Sequence, residues 1–396
     1  MPDVLSYGKD LLYLVSSALG DTAPDKAIVE KMNLETLYRF AKFHSMNALV
    51  YISLKKYREA QGIDALPPEL YDTMERDYSV SVKRLLVFDL EREALGRFIT
   101  DSASWFLTLK GLVLQEYYPV IGARQMADND ILIDPRIAPA VKRFFTDRGY
   151  KVTDYGRFCH DTYRKGNILF EIHRKLVSDT NSNKPFVAYY KPLIKDIVLK
   201  AGGKGEITLS PEDFYLYFIV HAHKHFISGG CGYRMLTDIY LFLSKNEGAL
   251  DNGYIEAKLS ELGLTDFEAA MRRLAFGLLS SPPEDIYKTA DAFDGDEREL
   301  FLYLTDSGTF GTIKGHIKNT MAGISGGGRL AKFKYLWQRV FPPLEYYKQT
   351  YPRAWRFIVT IPFLWAARVF RSFSKTERLS KELSLLKDID NDNGRS

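Results

Sequence analysis

The chain has 396 residues, 46% of them hydrophobic and 26% charged, with a formal net charge of +4. That length exceeds an ordinary single core and predicts two or three domains. So small a net charge excludes a dedicated DNA-coating protein, which needs clustered Lys and Arg, and nothing else in the chain points to DNA binding.

The opening stretch MPDVLSYGKDLLYLVSSALG has no basic region followed by a clean apolar core, so no signal peptide is expected. Residues 1–100 read as a helical region. Val82, Leu86, Leu90 and Ala94 recur at four-residue spacing among Lys83, Arg84, Glu91 and Arg92, and Pro67-Pro68 marks a break before that long helix.

The pattern changes over 101–200. "WFLTLKG" predicts a strand ending in a turn at Lys110-Gly111, and "NDILID" predicts a second strand. "PRIAPAVKRFFTDRGY" predicts a helix opening with proline and ending at Gly149. "KVTDY", "DTYRKG" and "NILFEIH" are three more strands, the last two a hairpin about Lys165-Gly166-Asn167. Strands and helices so closely mixed predict a small α/β or α+β core.

Residues 201–325 return to helices. Ser210, Pro211, Glu212 and Asp213 mark the start of "SPEDFYLYFIVHAHKHF". "YRMLTDIYLFLSK", "YIEAKLSELG", "DFEAAMRRLAFGLL" and "ERELFLYLTD" follow. Residues 326–396 are basic and aromatic, entered through a linker at Gly326-Gly327-Gly328 and closed by a polar tail. Within them, Phe357 to Ala367 lacks charge, is too short for a membrane span and is interrupted by Pro362. Two readings of 353–375 stand: an amphipathic element on an anionic membrane surface, or a helix packed on the protein with its basic side chains in solvent.

The stretch Asp128-Asn129-Asp130 runs straight into Ile131-Leu132-Ile133. In a strand, residues two apart share a face, so Asp128 and Asp130 project together and Asn129 points away. Two carboxylates so close repel unless a cation lies between them or one takes a proton. Mg²⁺ or Mn²⁺ suits such oxygen donors. Glu171 and His173 share a face of a later strand, so a third carboxylate can complete a metal cradle for phosphoryl or nucleotidyl transfer. Lys110 beside the flexible Gly111 can hold phosphates. The alternatives are a solvated or turn-forming Asp-x-Asp, a plain strand-to-helix turn at Lys110-Gly111 and an edge-strand acid at Glu171.

His221 and His225 share a helix face, but Ala222 stands where the zincin pattern needs Glu. Three readings remain: a metal pair, packed core histidines, or, with Lys224, a wall of the catalytic cleft. Arg234 and Asp238, four apart, suggest a supporting ion pair. His173 either orients substrate or is simply packed. Cys159 and Cys231 stand far apart with no CxxC pattern, which fits a reducing cytoplasm and argues against a zinc ribbon.

Leu109-Lys110-Gly111, Tyr118-Pro119, Arg124, Asp128 with Asp130, Gly149-Tyr150 and Glu171 with His173 together resemble an uncharacterised bacterial nucleotidyltransferase family of the DNA-polymerase-β-like superfamily. The resemblance extends to "HAHKH" and "YRMLTDIYLF", strongly from about 105 to 245. It implies an α+β fold, a small mixed-sheet core flanked by helical regions. It also implies metal-dependent transfer of a nucleoside monophosphate from an NTP to an unknown hydroxyl or phosphate acceptor. Asp128, Asp130 and Glu171 would be catalytic and hold Mg²⁺ or Mn²⁺, and Lys110, Gly111 and Arg124 would bind the nucleotide. This chain departs from the wider superfamily in Lys-Gly for Gly-Ser or Gly-Gly, in Asn129 for an apolar residue, and in Glu171 for aspartate. A second reading is a catalytically weakened nucleotide-binding or scaffolding protein at a membrane-bound polysaccharide assembly. The expected location is cytoplasmic, with peripheral contact to the inner membrane face left open by residues 353–375.

Overall fold

Ile131, Leu132 and Ile133 are all buried, as a strand covered on both faces requires. In the computed structural model, which describes residues 4–322 except 21, then 337, 341–342, 344–351 and 358–373, that strand lies inside a six-stranded mixed sheet. The strands are β1 (Trp105–Thr108), β2 (Asn129–Ile133), β3 (Lys151–Asp154), β4 (His160–Lys165), β5 (Ile168–His173) and β6 (Gly205–Ile207), in the order β3-β4-β5-β2-β1-β6. β2 runs parallel to β5 and β1 parallel to β6; the other neighbours are antiparallel. Helices flank this sheet, so the fold is α+β as expected.

The hairpin from β4 to β5 turns at Gly166, whose φ of +56° suits glycine. The helix Ala138–Asp147 is followed by Gly149 at φ +79°. β6 was not foreseen: Gly-Glu-Ile is too short to show a period, and its pairing with β1 carries the sheet past residue 200.

Alternation along the strands separates two cores. On one face Phe106, Ile131, Ile133, Phe170 and Ile172 pack against Phe144 and Phe145 and the long helix Pro68–Asp101. On the other, Leu107 and Leu132 join a core shared by helices from the N-terminal region and from 211–307. The expected stripe on the long helix is out of phase. Its buried positions include Ser81, Leu85, Phe88, Leu95 and Ile99, while Leu86 and Leu90 are 51% and 66% exposed. This helix carries apolar residues on more than one face, so four-residue spacing marks the helix without selecting its buried face. Asn129 completes the docking: fully buried, it donates from Nδ2 to the carbonyl of Phe88 at 3.2 Å.

Among the described residues, no helix is long and apolar enough to cross a membrane. Pro362 does not interrupt an element. It lies in the first turn of helix Ile361–Phe373, where its missing N–H costs nothing. Arg368 on that helix lies over the Tyr346 ring, 5.3 Å from its centroid. The triglycine linker, the polar tail, residues 352–357 and Lys375 lie outside the described residues.

Candidate active site

The side chains of Asp130, Glu171 and His173 come together because of strand register. β2 and β5 pair in parallel with Asp130 opposite Glu171 and Leu132 opposite His173. Asn129, Phe170 and Ile172 belong to the opposite face, so alternation leaves Asp130, Glu171 and His173 on the other. Asp128 falls just before β2, at the strand mouth, and lines the same cleft.

Asp130 is 4% exposed, and its Oδ1 accepts two hydrogen bonds, from Lys110 Nζ at 2.6 Å and from His173 Nε2 at 2.8 Å. An ionised carboxylate has only acceptors, so His173 carries its proton on Nε2. Glu171 is half-open to the cleft, with Oε2 3.9 Å from His173 Nε2 and Oε1 3.7 Å from His160 Nε2. Among the described residues, donor atoms of Asp130, Glu171 and His173 lie within 4.8 Å of one another, and so do those of Cys159, His160 and His173.

Electrostatics separate the two aspartates. Burial pushes Asp128 up, the charges of Asp130 and Glu171 push it further, and Lys110 and Arg234 only partly offset them, so its carboxyl is raised to about 6. Burial would raise Asp130 as well, but Lys110 and His173 overcome it and hold that carboxyl well below the usual range. Burial would lower Lys110; the charge and hydrogen bond of Asp130 outweigh it and keep the ammonium protonated. His173 follows the same balance, with burial and Lys110 lowering it and Asp130 and Cys159 raising it to a net upward shift.

Lys110 joins β1 to the short turn of helix Gly111–Leu114 at φ +49°, ψ −118°, a backbone conformation that costs a side-chain-bearing residue energy. Next to it, a Cβ on Gly111 would lie 2.5 Å from Arg124 Nη1, so the glycine makes room for the guanidinium. Arg124 directs Nε and Nη2 at the two oxygens of Asp238, each at 2.8 Å, and Tyr118 donates its hydroxyl to Oδ1 of the same carboxylate. The expected pairing of Asp238 with Arg234 is therefore corrected: Arg234 donates instead to the carbonyl of Gln125 at 3.0 Å. Helical spacing could not reveal that a buried cation from outside the helix takes the carboxylate.

Helix Pro211–Ser228 forms the facing wall. His221, Lys224 and His225 line the cleft, whose volume is about 370 Å³. The two histidines meet Nε2 to Nε2 at 3.0 Å, so one donates and the other accepts. Burial first, then nearby lysines, lower both, His225 to about 4, and keep the pair neutral. His160, which opens β4, lines this cleft, Cys159 just before it lies beside His160 and His173, and the two gave no spacing signal in the sequence beyond their adjacency.

No curated protein and no solved structure matches the chain. One family does, described as "Uncharacterised nucleotidyltransferase", and its match runs over residues 30–280, more than half of the chain and the whole of β1 to β6. The chain belongs to this uncharacterised nucleotidyltransferase family.

Proposed function

We propose that the protein transfers a nucleoside monophosphate from an NTP to a hydroxyl or phosphate acceptor, with pyrophosphate leaving, and depends on Mg²⁺ or Mn²⁺. The observation that carries this reading is the opposition of Asp130 and Glu171 on adjacent parallel strands, with Asp128 at the mouth of the same cleft. The donor set fits a hard divalent cation. Asp128, Asp130 and Glu171 border one cleft, where burial and then their mutual repulsion raise Asp128, and Asp130 already draws an ammonium cation to 2.6 Å. Asp128, Asp130 and Glu171 would hold the metal, which when bound polarises phosphate oxygens and lowers the proton affinity of the attacking hydroxyl.

The chain's own groups supply the remaining functions. Lys110 neutralises Asp130 in the free protein and offers its ammonium to phosphate oxygens once that carboxylate is otherwise engaged. His173 holds Oδ1 of Asp130 in place through its Nε2 proton. Arg124 leaves Nη1 beside Gly111 at the nucleotide end of the cleft, while its other two nitrogens are anchored on Asp238. His221, Lys224, His225 and Arg234 wall the side from which an acceptor enters.

The test is incubation of the full chain with each labelled NTP, Mg²⁺ or Mn²⁺ and a cell extract as acceptor source, followed by measurement of pyrophosphate. Pyrophosphate release that disappears in Asp128→Ala and Asp130→Ala supports the reading; release that survives both substitutions ends it. One observation favours a second reading, nucleotide binding without turnover: Lys110 already sits on Asp130 where a metal is needed. Thermal stabilisation by NTP with Mg²⁺, but no pyrophosphate with any acceptor, would select that alternative.

A further inference from the structure

Beside the acidic cleft lies a second group of donors of different chemistry. Cys159, immediately before β4, is buried. His160 opens β4, and His173, its Cα partner across the hairpin, closes β5. A sulfur and two imidazole nitrogens from these residues lie within 4.8 Å of one another. Cys159 Sγ is 3.6 Å from His160 Nδ1. A tetrahedral zinc ion, about 2.3 Å from sulfur and about 2.0 Å from nitrogen, holds two such donors roughly 3.5 Å apart.

A separate observation concerns His173. Its Nε2 is committed to Asp130, while its buried Nδ1 makes no hydrogen bond of ordinary length, although the Cys159 thiol lies near enough to raise the imidazole. Buried polar nitrogens are rarely left so. A histidine that gives one N–H to a carboxylate and keeps the other nitrogen for a metal is the usual orientation of an imidazole ligand.

We infer that Cys159, His160 and His173 form a binding site for a soft divalent cation, zinc above all, distinct from the hard-cation site of the three carboxylates. Thiolate and imidazole prefer zinc, whereas carboxylate oxygens prefer magnesium, so the two groups sort two ions by donor type. Binding expels the thiol proton to solvent and forms the sulfur–metal bond. Three protein donors leave a fourth position open. The bound ion would clamp the β4–β5 hairpin and fix the His173 ring that holds Asp130.

The experiment strips the full chain with a chelator and titrates it with Co²⁺ as a coloured substitute for Zn²⁺. A cobalt–thiolate bond adds a near-ultraviolet charge-transfer band that oxygen ligands do not give. The expected result is one equivalent bound with that band, displaced by Zn²⁺ and not by excess Mg²⁺. Cys159→Ser should abolish the band and weaken zinc by about tenfold or more. His160→Asn, at a partly exposed site, should weaken zinc similarly and serves if the cysteine variant does not fold. Asp128→Asn should keep the band. Cobalt bound without a thiolate band in the unaltered chain, or unchanged zinc affinity in both ligand variants, overturns the inference. The outcome is independent of nucleotidyl transfer: a band without turnover leaves this site standing, and turnover without a band removes it alone.

Discussion

Arg124 and Asp238 meet fork to fork, Nε on Oδ1 and Nη2 on Oδ2, both at 2.8 Å, with only 7% and 2% of their side chains exposed. The pair bolts the loop before β2 to helix Arg234–Lys245 across the cleft. Asp238→Ala strands a buried guanidinium and should cost about 3–5 kcal/mol in urea unfolding, because the lost partner leaves an uncompensated charge. Asp238→Asn, which keeps one acceptor, should cost less. A loss for the alanine variant within the range of a surface ion pair, below about 1 kcal/mol, would refute the bolt.

Gly111→Ala tests the close approach from the other side. Its Cβ would stand 2.5 Å from Arg124 Nη1, so either the guanidinium or the turn must move. The expected cost is about 1–3 kcal/mol, as for other overpacked sites, with weaker NTP binding. Because the same guanidinium is involved, the effects of Gly111→Ala and Asp238→Ala should be non-additive in a double-mutant cycle.

Asp128→Asn should separate stability from chemistry. The Asp128 carboxyl is raised to about 6 by burial and then by repulsion from Asp130 and Glu171. A raised acid binds its proton more tightly folded than unfolded, so its penalty is absent below about pH 4 and develops as pH rises through about 6. In chelator at pH 8 the neutral amide should therefore stabilise by about 1–3 kcal/mol, with no gain near pH 4, while nucleotidyl transfer is lost. Equal melting temperatures at pH 8 would contradict the repulsion.

His44 supplies the opposite sign. It stacks on Tyr233 with ring centroids 4.7 Å apart, accepts the Tyr233 N–H on Nδ1 and donates from Nε2 to the carbonyl of Thr305. Burial drives its pKa down to about 3, with the Thr305 carbonyl opposing only weakly. The unfolded chain takes this proton first, so the stability contribution is whole above about pH 6.5 and drains as pH falls toward about 3. By pH 5 the loss should reach about 2 kcal/mol. His44→Gln should be less stable at pH 8 but show a shallower decline between pH 6.5 and 5. Parallel curves for the two proteins would count against it.

How much of this was legible in the sequence differs by element. Helix Pro211–Ser228 announced itself through Ser210, which caps it by accepting from the Asp213 N–H, because capping is a local interaction. β2 and β5 were legible from apolar runs broken by acids, and the shared face of Glu171 and His173 followed from the two-residue period. Partners distant in sequence were not. Nothing in "YRMLTDIYLF" says that Asp238 turns to Arg124 rather than Arg234, since that choice is made by tertiary packing. Asn129 was read only as pointing away from the acids; its bond to Phe88 is invisible without the long helix above it. Cys159 and His160 meet His173 only because the hairpin sets His160 opposite His173.

The opposition of Asp130 and Glu171 is written into the main chain, by a parallel ladder whose neighbours stand about 4.8 Å apart whatever side chains they bear. The gauge between these two carboxylates is thus inherited from the backbone, and sequence drift in the surrounding helices leaves it untouched. Descendants of this scaffold can exchange the walls of the cleft, and with them the molecule admitted, without having to rebuild that spacing.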